Sequence, residues 1–207
     1  MGYIKPMTHD PKPMTSFLLI GLGNPGKAYA ANRHNIGFMT IDRIFKDYPF
    51  GRAARKFGGA LAEGKIGGHK IFAFMPLGYM NVSGGPASEA ANFYKIPPEH
   101  IIAIHDELDL PLGKIRVKKG GGNGGHNGLK SLDEHLGKDY WRIRIGISHP
   151  GDKDMVSDYV LSDFTKAERP VVENLLADIS NHIGLLLSGD EAKFMSKVAL
   201  SATRPST

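Results

Sequence analysis

His34, His105 and His126 each stand within a few residues of an asparagine or an aspartate. The first segment places Asn24 inside Gly23-Asn24-Pro25-Gly26 and continues through Tyr29 to His34 and Asn35. The second is Met80-Asn81-Val82-Ser83-Gly84-Gly85. The third, His105-Asp106-Glu107-Leu108-Asp109-Leu110-Pro111, sets three carboxylates beside a histidine. The fourth is Gly120-Gly121-Gly122-Asn123-Gly124-Gly125-His126-Asn127-Gly128, in which six of nine residues are glycine. A histidine oriented by a carboxylate can deprotonate water near neutral pH. An asparagine amide offers a donor and an acceptor together. A glycine run lets backbone N–H groups come close to an anion or a flat ligand.

Each segment by itself also reads as ordinary structure. Asn24 suits a turn, Ser83 a helix cap, the acidic run a solvated turn, and the glycine run a hinge. The glycine run is not a Walker A loop, since no Gly-Lys-Ser/Thr follows at the required spacing. It also lacks the acidic partner and βαβ setting of a dinucleotide site. No serine sits in Gly-x-Ser-x-Gly, so water is the simplest nucleophile left. A metal centre on His105, Asp106 and Asp109 is the competing reading. It draws no support from a His-Glu-x-x-His segment or from cysteine, of which the chain has none.

These segments need a scaffold, and the apolar pattern between them supplies one. Phe17 to Ile20, Lys70 to Met75 and Ile101 to Ile104 read as strands. Ile115 and Val117 alternate with Arg116 and Lys118 as on a half-buried strand, and residues 141–148 alternate in the same way. Helical spacing joins Phe38, Ile41, Phe45 and Tyr48, with Pro49 closing the stripe. A second helix runs from Ser83 through Ala87, Ala90, Ala91 and Tyr94 to Pro97-Pro98. A third carries Val171, Leu175, Ile179, Ile183 and Leu186, with Pro170 in its first turn. Strands interleaved with helices predict a single-domain α/β sandwich around one central sheet flanked by helices. Polar segments just past the strand ends are where open α/β sheets hold ligands. Residues 1–13 read as a flexible extension, 14–199 as the folded domain and 200–207 as a flexible tail.

With 26 Lys+Arg against 21 Asp+Glu, the chain carries +5 and a pI near 9.3, a balance that suits a polyanionic partner such as nucleic acid. Solubility alone would explain the same charge. A disulfide framework, a thiol nucleophile and cysteine-ligated zinc are excluded. No apolar run reaches the roughly 20 residues of a membrane span, and the start lacks the apolar centre of a secretory signal.

Taken in order, GLGNPG, Tyr29 with His34-Asn35, MNVSG, HDELDLP, GGGNGGHNGLK and RIRIGISHPGDK resemble the bacterial-type peptidyl-tRNA hydrolases. The resemblance spans roughly residues 16–195, and Gly78 stands where the family often has threonine. It implies a mixed, mainly parallel central sheet flanked by helices, and a monomeric, cytoplasmic esterase without metal or other cofactor, acting on peptidyl-tRNA. His34 would be the base and Asp106 its partner. Asn24 and Asn81 would serve in catalysis, one of them as oxyanion donor. Tyr29, Met80, Asn81, Gly124, His126 and Asn127 would contact substrate. Lys118, Arg144 and Lys153 would meet tRNA phosphates. A non-catalytic RNA-binding relative would keep the basic residues but has no need of an intact His34, Asp106 and Asn81.

Overall fold

The computed structural model describes residues 14–201. The expected extension over residues 1–13 lies outside them, as do residues 202–207 of the expected tail.

Seven strands form one sheet: β1 (Ser16–Gly21), β2 (Ala54–Lys56), β3 (Gly59–Ile66), β4 (His69–Pro76), β5 (Ile101–Glu107), β6 (Ile115–Lys119) and β7 (Trp141–Gly146). Their spatial order is β2-β3-β4-β1-β5-β7-β6. The four central strands β4, β1, β5 and β7 are parallel, and antiparallel neighbours close both edges. This is the expected mixed sheet, parallel at its centre. Leu18, Leu19 and Ile20 are all fully buried, as expected of a parallel strand covered on both faces.

Alternation along β1 sends its side chains into two separate cores. Phe17 and Leu19 join one with α1 (Ile36–Asp47), α5 (Arg169–Leu187) and α6 (Glu191–Ser201). Leu18 and Ile20 join the other with α2 (Gly84–Phe93) and α3 (Asn127–Leu136). The short α4 (Val156–Val160) packs Tyr159 and Val160 against the first core. Helix α6 carries regular structure two residues beyond the boundary expected at 199.

Some local expectations change. Ser83 does precede α2, but its hydroxyl donates back to the Met80 carbonyl at 2.9 Å instead of capping the helix. In α5 the buried residue of the first turn is Val172, and Val171 faces solvent. Arg142, on the polar side of the alternating β7, is only 2% exposed.

Candidate active site

The central strands deliver their C-terminal ends to a cleft of about 960 Å³. Asn24 follows β1, Met80 and Asn81 follow β4, and Asp106 lies near the end of β5. His34 comes from a 3-10 turn, Arg33–Asn35, that leads directly into α1. His126 stands at the N-terminus of α3. All six border the cleft, which is the location that open α/β sheets favour for ligands.

Asp106 is the hub. Its Oδ1 lies 2.8 Å from His34 Nδ1 and 3.0 Å from His126 Nε2. Burial by itself would raise the Asp106 carboxyl. The charge interaction with His126 and His34, and the hydrogen bonds from both, outweigh it and hold the group well below the usual carboxylate range. An ionised carboxylate only accepts, so His34 must present Nδ1–H to it. The Nε2 lone pair of neutral His34 is then the free end of the ring, and His34 lines the cleft.

The proton position on His126 follows from its neighbours. The backbone N–H groups of Gly128 and Leu129 lie 3.1 and 3.3 Å from His126 Nδ1. A backbone N–H can only donate, so Nδ1 accepts and the proton sits on Nε2, directed at Asp106. His126 therefore caps α3 and orients Asp106 at once. Gly128 leaves room for the ring: a Cβ there would lie 3.0 Å from His126 Cε1 and 2.6 Å from Met80 Sδ.

Asn24 is braced on both sides. Its N–H donates to Asn35 Oδ1 at 2.9 Å, and Asn35 Nδ2 donates back to the Asn24 carbonyl at 2.9 Å. Asn24 Oδ1 accepts from the Met80 N–H at 2.8 Å. The Asn24 amide thus has its oxygen engaged and its NH₂ available to the cleft. Asn81 and Asn127 are exposed residues of the cleft wall. Gly124 also lines it, with φ +56.

The other expected residues are distributed differently. Tyr29 is partly buried and does not border the cleft. Lys153 does, opposite the glycine segment. Lys118 and Arg144 instead border a depression of about 80 Å³, which shares Glu107, Asp109, Asn123 and Gly124 with the main cleft. Arg144 Nε is 2.8 Å from Glu107 Oε2, so its charge is already paired. Lys130, Glu134 and His149 line the cleft as well. Lys130 and His149 lie inside the quoted motifs and Glu134 just past one of them, which is the one sequence signal that could have pointed to them.

His105, Asp106 and Asp109 do not assemble as a metal site. His105 is buried with Nδ1 2.7 Å from the Asp106 carbonyl. Burial, and next the proximity of His126, push its imidazole down to about 3, so the ring is neutral. Among the described residues, the group whose donor atoms converge is His34, Asp106 and His126, within 4.8 Å of one another. In that group two N–H protons already share Asp106 Oδ1. The arrangement is that of two histidines oriented by one buried carboxylate.

A family model described as Peptidyl-tRNA hydrolase matches residues 18–206. The peptidyl-tRNA hydrolase of Rhodospirillum centenum is 52% identical over 188 residues, covering 91% of this chain and 83% of that protein. That of Azorhizobium caulinodans is 53% identical over 184 residues, covering 89% and 90%. The crystal structure of peptidyl-tRNA hydrolase from Acinetobacter baumannii superposes with a TM-score of 0.84 at 38% identity, covering 91% of this chain and 97% of that one.

Proposed function

This chain belongs to the peptidyl-tRNA hydrolase family, and from that membership and its geometry we propose how its residues divide the work. The enzyme hydrolyses the ester between a peptide and the 3′-terminal ribose of tRNA, releasing both for reuse in translation. The observation that carries the mechanism is the 2.8 Å contact of His34 Nδ1 with Asp106 at the cleft wall.

His34 Nε2 takes a proton from water as the water oxygen attacks the ester carbonyl. Asp106 stabilises the imidazolium that forms, and the imidazolium then returns a proton to the departing ribose oxygen. Charge developing on the carbonyl oxygen calls for a donor fixed in advance. Asn24 fits that role better than Asn81, because the Met80 N–H holds its amide in one orientation. Asn81 and Asn127 are free to pair with the peptide backbone, which every peptidyl-tRNA presents whatever its side chains. Met80, Gly124 and His126 shape the surface beside them, and Tyr29 meets the tRNA outside the cleft. Lys118, Arg144 and Lys153 engage phosphates.

The proposed residues need no contribution from a second copy, and we read the protein as a monomer with a single catalytic domain over residues 14–199. A tRNA substrate supports action in the cytoplasm, and no helix among the described residues is long and apolar enough to cross a membrane. The direct test is release of free tRNA from purified peptidyl-tRNA. Asp106→Asn should slow release, though less than His34→Ala, because the base remains present but poorly oriented. An Asp106→Asn enzyme with unchanged turnover would overturn the pairing.

A further inference from the structure

Residues 120–126 approach the catalytic carboxylate without a strand partner of their own. Gly120, Gly121, Gly124 and Gly125 all have positive φ, so the backbone there favours many conformations besides this one. Within the segment, His126 N–H donates to the Asn123 carbonyl at 2.9 Å and Gly125 N–H to Asn123 Oδ1 at 3.1 Å. Just past β6, Gly120 N–H donates to the Tyr140 carbonyl at 3.0 Å, and the carbonyls that follow are held by Arg142. Its Nη1 donates to the Gly122 carbonyl at 2.7 Å and its Nη2 to the Gly121 carbonyl at 3.1 Å.

The guanidinium is itself fixed. Nη2 also meets Asp133 Oδ1 at 2.8 Å, and that oxygen accepts the Tyr140 hydroxyl at 2.7 Å. The guanidinium carbon lies 4.8 Å from the centroid of the Tyr140 ring. Asp133 belongs to α3, whose first turn is capped by His126. Arg142 therefore holds both ends of the connection, the glycine carbonyls on one side and the helix behind His126 on the other.

We propose that Arg142 is a positioning residue for hydrolysis: its buried fork sets the glycine segment so that His126 Nε2–H reaches Asp106. The sequence RIRIG invites a different role, a phosphate contact like that suggested for Arg144. Burial to 2% exposure and three engaged protein acceptors argue against it. The inference rests on the proposed His34–Asp106 chemistry. Its own signature is the state of His126, which can be read whichever group proves to be the base.

Arg142→Lys keeps a charge but replaces the planar fork with a point donor. Misplacing a catalytic constellation by about an ångström can cost on the order of a hundredfold. In Arg142→Lys, kcat should fall by about ten- to a hundredfold with KM within about twofold, equally on full peptidyl-tRNA and on a short 3′-terminal fragment. The nitrogen-15 spectrum of the imidazoles should show His126 losing its fixed Nε2–H tautomer while His34 keeps its Nδ1 proton. Asp133→Asn, which leaves Arg142 in place, should produce the same pattern more weakly, and it carries the comparison if Arg142→Lys does not fold. A loss confined to KM on full tRNA would make Arg142 a phosphate contact and overturn the proposal. An unchanged His126 spectrum would overturn it equally, even with a lower kcat. If His126 shifts as expected while His34→Ala retains full activity, the positioning stands and the assignment of the base fails.

Discussion

At the scale of single residues, one carboxylate oxygen decides most of the chemistry. Asp106 Oδ1 receives two imidazole protons, and the other nitrogen of each histidine is used differently. His34 lines the cleft with Nε2 outside the pair, and His126 Nδ1 caps a helix. Next to them His105 remains neutral inside the sheet, which leaves a measurable trace. In the unfolded chain its imidazole protonates as the pH falls through about 6.5, whereas the folded value is lowered to about 3. Between those values the unfolded state binds more protons, so stability is present above about 6.5 and declines as the pH drops. One proton contributes a slope of at most about 1.4 kcal/mol per pH unit. Urea unfolding of His105→Asn over that range should give a shallower decline than the wild type, by about one proton's worth. Parallel curves would show that His105 is not held neutral. The residue types of the site stood out in the sequence as four short polar runs, and the family resemblance paired His34 with Asp106. The tautomers were not, since they depend on the Gly128 and Leu129 N–H groups and on which oxygen of Asp106 both rings share. Nor was the burial of Arg142, because alternation in β7 records which side of a strand a residue occupies and not what covers that side.

At the scale of elements, the two walls of the cleft are each held by a buried arginine. Arg142 holds the glycine segment, and Arg33, the residue before His34, holds the segment after α4. Arg33 Nη1 donates to Ser162 Oγ at 2.9 Å and to the Asp163 carbonyl, and Nη2 lies 2.7 Å from Glu168 Oε2. Its guanidinium carbon is 4.4 Å from the Tyr159 ring centroid. Asn32 reinforces the junction through Asp163 Oδ1 at 2.7 Å. Arg33→Met should cost about 3 kcal/mol of folding stability, the low end of the range for a broken buried pair, because Glu168 keeps some access to water. Denaturant titration checks this, and a loss below about 1 kcal/mol would place the cluster with ordinary surface pairs. Strands β1, β4 and β5 were legible as short apolar runs, β6 and β7 by their alternation, and the helices α1, α2 and α5 by apolar residues at helical spacing. Strand β3, GALAEGKI, was hidden by residues of low strand propensity. It exists through antiparallel pairing along the whole of β4. Helix α3 was hidden because its start is the end of the glycine run, where His126 supplies the cap in place of the usual serine, threonine or aspartate.

At the scale of the complete chain, the net charge of +5 suits a polyanionic substrate, and its distribution makes the expectation specific. Lys153 stands at the main cleft, and Lys118 at the shallower depression across the glycine segment. Arg144 is paired with Glu107, so the two lysines are the cleaner probes. Phosphate contacts hold substrate and transition state alike, so Lys118→Ala and Lys153→Ala should raise KM for peptidyl-tRNA more than they lower kcat. The salt dependence of binding should lessen by roughly one counterion for each phosphate left unbound. A 3′-terminal fragment should be far less affected, and equal losses on both substrates would tie these lysines to the catalytic centre or the fold.

The proposed chemistry depends on His34, held by Asp106, activating water without help from a metal ion. The decisive measurement is single-turnover release of tRNA from peptidyl-tRNA by the wild type and His34→Ala, each exhaustively chelated, with the tRNA fold verified under the same conditions. The wild type should keep its rate, and the folded variant should lose on the order of a hundred- to ten-thousandfold, the usual range for removal of a general base. A folded His34→Ala enzyme near the wild-type rate, or a wild type that stops on chelation and recovers with one added divalent ion, would contradict this mechanism.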